Sequence, residues 1–323
     1  KQILKYLFHL AQLETTFKDV CIQEKLVESL RTIVSLPLLH PTAFKTGILG
    51  REAIGGVLLY GPPGTGKTLV CRALARECGA RLLQVKPSDI MDLYLGESEK
   101  AVKALFSLAY RLAPCVIFID EVESLFKARK GDDKKWYGNI VSTYTISMDG
   151  LRSAKMNKDK GIVVVGATNR PYDLDDAVIR RLATRMMVDL PGEKEREQIL
   201  RLHLKDETLG EDVILSHIAS RTLCYSGSDL KNLCVSAAMA SVKDAIDGFS
   251  WTPVIPSETS ASVPEQADTS TATDGVESKI QIRTITLAHF KHAINEVSAS
   301  SSSNSHSDLY RWHAQFGHKR VLL

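Results

Sequence analysis

Between Gly56 and Leu190 the chain carries five short apolar runs: GVLLYG (56–61), RLLQV (81–85), CVIFID (115–120), GIVVVGAT (161–168) and RMMVDL (185–190). Each is dominated by Val, Ile, Leu or Met with little polar interruption. Such runs predict strands buried on both faces, as in a parallel sheet. Segments with helical spacing separate them, AVKALFSLAYRL (101–112) being the clearest. The alternation predicts a doubly wound α/β layer.

The pattern changes after Pro191. EKEREQILRLHLK, HIASRT and SDLKNLCVSAAMASVKDAI follow one another with helical spacing and no strand-like run between them. They predict a smaller α-helical domain over 192–300 beside a large domain over 15–191. Trp251 to Ser278 is rich in Ser, Thr and Pro, and its only charges are acidic: Glu258, Glu265, Asp268, Asp274 and Glu277. That composition predicts a disordered insertion. A polar run, SASSSSNSHS (298–307), leads to a last short helix around Asp308–Phe316 within a segment 301–323. At the other end ILKYLFHLAQL places Ile3, Leu7 and Leu10 on one side of a helix, so residues 1–14 read as a docking or linker helix.

A chain of 323 residues, 44% hydrophobic and 24% charged, has the balance of an ordinary globular protein of two domains. Its net charge of +3 is too small to predict a nucleic-acid or anionic-membrane surface. The six cysteines form no CxxC pair and mostly sit in apolar runs, which predicts reduced core thiols and an intracellular compartment. No apolar run approaches the roughly 20 residues that span a bilayer. The chain starts at Lys1 and reads as a piece of a longer protein, so any membrane link would come through a segment upstream.

One motif changes the picture. Gly61, Pro62, Pro63, Gly64, Thr65, Gly66, Lys67 and Thr68 satisfy G-x-x-x-x-G-K-[ST] between a strand and a helix that continues through Leu69. The glycines let backbone N–H groups wrap phosphates, Lys67 brings charge to the β/γ-phosphates, and the Thr68 hydroxyl suits Mg²⁺. Asp120 and Glu121 close the CVIFIDE strand at its carboxyl end, where ligands bind in open α/β sheets. Asp120 is placed to hold the Mg²⁺ water shell and Glu121 to polarise an attacking water. Asn169 in GATNRP ends the next strand, where a neutral amide would serve the γ-phosphate or the water. ATP and Mg²⁺ are the cofactors this implies.

In this order the motifs resemble those of AAA ATPases over residues 15–250 and the last helix. The resemblance rests on DIMDLYLGESEKAVKALFSLAYRLAPCVIFIDE, GATNRPYDLDDAVIRRLATRMMVDLPG, LKDETL and YSGSDLKNLC. Membrane-anchored extractases of the mitochondrial outer membrane look nearest, and katanin, spastin and the ESCRT-disassembling ATPase share much of the pattern. The resemblance implies a homo-oligomeric, hexameric ring that threads a polypeptide substrate through a central pore.

Residue by residue, it casts Arg180 and Arg181 as fingers reaching the γ-phosphate held by a neighbour in the ring. Such a finger is worth about 10³–10⁵ in rate in other nucleotidases. It places Asp19, Val20, His203, Gly227 and Ser228 near adenine, although a half-buried helix histidine explains His203 as well. It places Tyr94 and Leu95 of MDLYLGESEK in the pore, where spacing alone also fits packing under the next helix. Two departures stand out. Asp19-Val20-Cys21-Ile22 replaces the usual Asp-Ile-Gly-Gly. Lys134 and Lys135, within KARKGDDKKWYGN (127–139), stand where relatives carry an acidic residue or histidine; this stretch reads as a second, basic pore loop or as a solvated turn. The resulting expectation is an ATP-driven unfoldase or extractase, with microtubule severing and a nucleotide-switched scaffold as rivals.

Overall fold

Each of the five apolar runs forms a strand, and all five pair in parallel. The computed structural model describes residues 9–10, 14–44, 46–51, 56–90, 97–127, 135–152, 161–246, 283–300 and 307–317. The strands are β2 (Val57–Tyr60), β3 (Arg81–Val85), β4 (Cys115–Ile119), β5 (Ile162–Thr168) and β6 (Thr184–Met187). A two-residue strand β1 (His9–Leu10) completes a sheet ordered β1-β3-β4-β5-β2-β6. The principal helices around the sheet are α1 (Glu24–Leu30), α2 (Lys67–Glu77), α3 (Glu97–Leu112), α4 (Val122–Leu125), α5 (Lys135–Arg152) and α6 (Asp176–Arg181).

The near-continuous apolar runs have a simple cause. Successive side chains of a strand point to opposite faces, and here both faces are covered. Leu58, Ile117, Ile119 and Val164 join Val102, Leu105 and Phe106 of α3 and Tyr144 and Met148 of α5 in one core. Val57, Leu59, Val116, Phe118, Val163 and Val165 join Leu30 of α1 and Val70 and Leu74 of α2 in the other. A polar residue on either face would be buried without a partner, at about 1–3 kcal/mol for each unmet group.

The second unit holds α7 (Glu193–His203), α8 (Leu215–Arg221), α9 (Gly227–Ile246) and α10 (Leu287–Glu296) around their own core, which includes Leu200, Ile218, Leu230, Leu233 and Phe290. The buried Arg196 fastens α7 to this core. It donates from Nε and Nη2 to the Ala219 carbonyl at 2.9 and 2.8 Å and from Nη1 to Pro191 at 3.0 Å.

Two expectations change, and one helix gains a position. His9–Leu10 is an edge strand, antiparallel to Gln84 and Leu83, where a linker helix was expected. The open edge of β3 offers unpaired backbone groups, and pairing there overrides a short helical pattern. The second unit is not wholly helical: β7 (Thr208–Leu209) and β8 (Thr284–Ile285) pair in parallel. Two-residue strands carry too little pattern to be read from sequence. The last helix, α11 (Ser307–Phe316), whose position the sequence left open, returns to the large unit. Leu309 and Trp312 enter its core, and the Trp312 ring meets Tyr60 edge-on with centroids 4.9 Å apart. Tyr94 and Leu95, the insertion Trp251–Ser278 and residues 128–134 lie outside the described residues. Of the basic stretch, Lys127 forms an antiparallel bridge with Leu174, and Lys135 opens α5.

Candidate active site

The sheet register assembles the phosphate end of the site. Tyr60 is paired with Thr168, so the residues that follow them, Gly61 and Asn169, leave adjacent strands side by side. Ile119 is paired with Gly166, which brings Asp120 to the same edge. Gly61 N–H donates to the Thr168 carbonyl at 3.3 Å. A Cβ on Gly61 would lie 2.0 Å from the Val188 carbonyl oxygen, so the strand can pass into the loop only without a side chain.

Within the loop, Thr65 Oγ1 donates to the Pro62 carbonyl at 3.0 Å. Lys67 is 8% exposed, and its ammonium donates to the carbonyls of Gly61 (3.0 Å) and Pro62 (2.7 Å). Burial pulls its pKa down to about 8, against the opposing pull of Asp120 and Glu123. Thr68 Oγ1 donates to Asp120 Oδ2 at 3.0 Å, and the Glu121 N–H donates to Asp120 Oδ1 at 3.1 Å. A hydroxyl and a carboxylate thus converge from two elements. Mg²⁺ takes few protein ligands and keeps several waters, so this pair fits it. Leu69 follows on α2 and is exposed.

Glu121 is exposed and has left-handed backbone, with φ 47° and ψ 47°. A non-glycine residue in that region costs about 1–3 kcal/mol, a cost met mainly where function holds a residue in place. Val122, Leu125 and Phe126 are wholly buried and anchor the turn that imposes it. Asn169 is half-buried, and its N–H donates to Glu123 Oε1 at 3.4 Å.

The other end of the site lies between the two units. A cleft of about 960 Å³ is lined by Cys21, Ile22, Leu26, Thr65, Pro191, Ile199 and Gly227, among others. The Ser228 N–H donates to the Gly64 carbonyl at 3.2 Å, so the start of α9 rests on the phosphate loop. Gly64 itself has φ +73°, and a Cβ there would lie 2.6 Å from Ser226 Oγ and 2.9 Å from Ser228 Oγ. Asp229 Oδ2 accepts from Ser226 N and Oγ, both at 2.9 Å, and from Ser300 Oγ at 2.8 Å. One buried carboxylate therefore ties the start of α9 to the segment that leads toward α11.

The AAA model, described as the ATPase family associated with various cellular activities, matches residues 57–190, and the AAA+ lid model matches 212–253. The crystal structure of the FIGL-1 AAA domain in complex with ADP superposes with a TM-score of 0.75 at 31% identity, over 98% of this chain and 97% of that one. The chain belongs to the AAA ATPase family. The human outer mitochondrial transmembrane helix translocase is 38% identical over 238 residues, 74% of this chain and 65% of the translocase. A mouse katanin p60 ATPase-containing protein is 40% identical over 235 residues, 72% of this chain and 48% of that protein. The chain thus spans less than two thirds of either relative.

Within this AAA module the two arginines of α6 differ. Arg181 forms a bidentate ion pair with Asp149 of α5, at 3.1 and 2.8 Å, and also donates to the Ala177 carbonyl at 3.3 Å. That pairing raises its pKa. Arg180 is exposed and forms no ion pair among the described residues. The phosphate-end residues come together at one edge of the sheet. At the base end, the carboxylate of Asp19 serves its own turn, accepting from Thr16 N and Oγ1 at 2.7 Å each; these bonds hold its pKa down. Val20 is buried in the large core, and it is Cys21 and Ile22 that reach the cleft. His203 closes α7 at the surface, one turn beyond Ile199, and is not among the residues lining the cleft. Partial burial and then Lys231 lower its pKa. The chain turns inward only at Leu204, which leaves the imidazole outside.

Sequence reasoning missed Glu123, Ser226 and Asp229. Ser226-x-x-Asp229 is a readable helix-start signature. Glu123 offered only an acidic residue two positions after Glu121.

Proposed function

We propose that this chain is the ATP-hydrolysing motor of a homo-oligomeric, hexameric ring that pulls polypeptide through a central pore. The observation that carries the reading is the 3.0 Å bond from Thr68 to Asp120, beside the buried Lys67 and the conformationally held Glu121. Lys67 and the loop amides bind the phosphates. Thr68 and Asp120 would hold Mg²⁺, which supplies charge neutralisation at the β/γ-phosphates. Glu121 accepts a proton from the attacking water, and Asn169 orients that water or the γ-phosphate. Arg180, exposed at the end of α6, enters a neighbour's site, and Arg181 braces α6 on α5. The loop carrying Tyr94 and Leu95 grips the substrate.

The likeness to the translocase supports extraction of membrane proteins at the mitochondrial outer membrane as the output. The likeness to katanin supports microtubule severing as the second reading. Among the described residues no helix is long and apolar enough to cross a membrane. The test is ATP-driven extraction of a helix-anchored model substrate from liposomes, run beside a severing assay on stabilised microtubules. Extraction without severing is expected; severing alone would reverse the order of the two readings. Mixing Arg180→Ala with Lys67→Ala chains restores part of the ATPase activity if the finger acts between neighbours in the ring. Turnover independent of protein concentration would rule out the ring as the working form.

A further inference from the structure

Glu123 stands two residues beyond Glu121 on the short helix α4, whose Val122, Leu125 and following Phe126 are wholly buried. That anchoring leaves Glu123 little freedom. Its Oε1 accepts the Asn169 N–H at 3.4 Å, joining the end of the β4 segment to the end of β5. Glu123 Oε2 and Asn169 Oδ1 are both buried and have no hydrogen-bond partner among the described residues. Buried polar oxygens are nearly always paired, so two such acceptors in contacting residues mark a place that calls for donors beyond the described residues. Phe126 also receives the Asp175 N–H at 2.9 Å, so α4 is tied on both sides to segments that bear site residues.

We infer that Glu123 is a positioning residue: by holding the backbone of Asn169 it fixes where the Asn169 amide meets the γ-phosphate and the attacking water. The inference rests on the role proposed above for Asn169. The donor to the free Asn169 oxygen then comes from the attacking water, and the donor to Glu123 Oε2 from a group that takes no part in the reaction. Glu123 makes no bond with the reacting atoms. The negative charge that it places near Lys67 is consistent with a seat just behind the phosphates.

The test is a double-mutant cycle on the full chain, with ATPase kinetics, nucleotide affinity and melting temperature read together. Glu123→Ala is expected to lower kcat about tenfold or more and to leave KM for ATP within about threefold, as losses of groups that orient an active residue do. Asn169→Ala is expected to act in the same way. The double variant should be no slower than the slower single one, because each change removes the same function. Glu123→Gln keeps the Oε1 acceptor and should stay within about threefold of wild type.

Multiplying effects in the double variant would overturn the inference, and so would a Gln variant as slow as the Ala variant, which would point to charge alone. Wild-type turnover in Glu123→Ala with a slow Asn169→Ala would remove Glu123 and leave the site intact. Wild-type turnover in Asn169→Ala would instead remove the proposed role of Asn169, and the positioning role with it. Should Glu123→Ala prove insoluble, Glu123→Met fills the volume without an acceptor and takes its place in the cycle.

Discussion

The two ends of the cleft are built by different physics. At the phosphate end, Gly61, Asp120 and Asn169 each follow the last residues of adjacent parallel strands, so the backbone ladder sets their spacing. At the base end, Cys21 and Ile22 come from a turn before α1, Ile199 from α7 and Gly227 from α9, with no ladder between them. Cys21 packs against the lid core and Ile22 against the large core. Placement by a ladder leaves little room for substitution. Placement by side-chain packing admits any residue of suitable volume, which is how Cys21 and Ile22 can stand where relatives carry two glycines.

The most direct way to break the contrast is to change chemistry at the phosphate end while keeping shape. Glu121→Gln preserves size and removes the proton acceptor. Hydrolysis should fall about 100-fold or more, equivalent to about 2.7 kcal/mol in the barrier. ATP affinity should remain within a few-fold of wild type, because Lys67 and Thr68 are untouched. Single-turnover hydrolysis beside equilibrium ATP binding measures both, and near-normal turnover would remove Glu121 from the role of base.

The joint between the two ends offers the next largest effect. Gly64→Ala places a methyl group 2.6 Å from Ser226 Oγ and forces a side chain to φ +73°. The start of α9 must then move off the loop. ATP affinity should weaken about tenfold and stability should fall by about 1 kcal/mol or more, as when alanine replaces glycine at positive φ. Isothermal titration and a thermal melt report the two. Unchanged affinity would show that the contact between loop and lid does not shape the nucleotide site.

The same contrast decides what was legible in the sequence. The five strands were, because burial on both faces leaves an unmistakable apolar run. The grouping of Asp120, Glu121 and Asn169 was, because a ladder carries strand ends to one edge, and that of Lys67 and Thr68 was, because the glycine-rich motif sets the start of the helix after β2. Cys21 and Ile22 were noticed only as departures, since nothing local shows which side chains a turn will lay against a second domain. The edge strand His9–Leu10 was hidden because backbone pairing leaves little mark on so short a segment. The return of α11 onto Tyr60 depends on a contact across more than 250 positions, Tyr60 OH to His313 Nδ1 at 2.6 Å, which periodicity does not encode. Glu123 was missed because its significance lies in its bond to the end of another strand.

A pH titration sharpens the phosphate end. Without phosphate, burial holds the Lys67 pKa at about 8. A bound phosphate favours the charged ammonium and raises that pKa. Below about pH 8 the lysine is already protonated and affinity is at its full value. Above it, binding must take up a proton, so affinity falls as pH rises toward the pKa of the bound state. From about pH 7 to about pH 8.5 the expected loss is roughly fourfold. A flat profile would show that the ammonium keeps an ordinary pKa in the unliganded loop.

The smallest effect is expected at the base end. Cys21 is half-buried, and burial, then Asp19 and Glu195, raise its thiol pKa, so the side chain is a neutral, compact group at neutral pH. It contributes apolar contact to the lid and no required hydrogen bond. Cys21→Ala removes only the sulfur and should change KM for ATP by less than about threefold, with a stability loss of about 1 kcal/mol or less for a partly exposed site. Cys21→Gly frees the turn as well and should loosen the joint between the units without altering kcat. Hydrogen exchange at residues 19–22 would report the loosening, and ATPase kinetics would report its consequence. A large rise in KM for Cys21→Ala would mean that the sulfur itself meets the base, and that this end of the cleft is as exacting as the other.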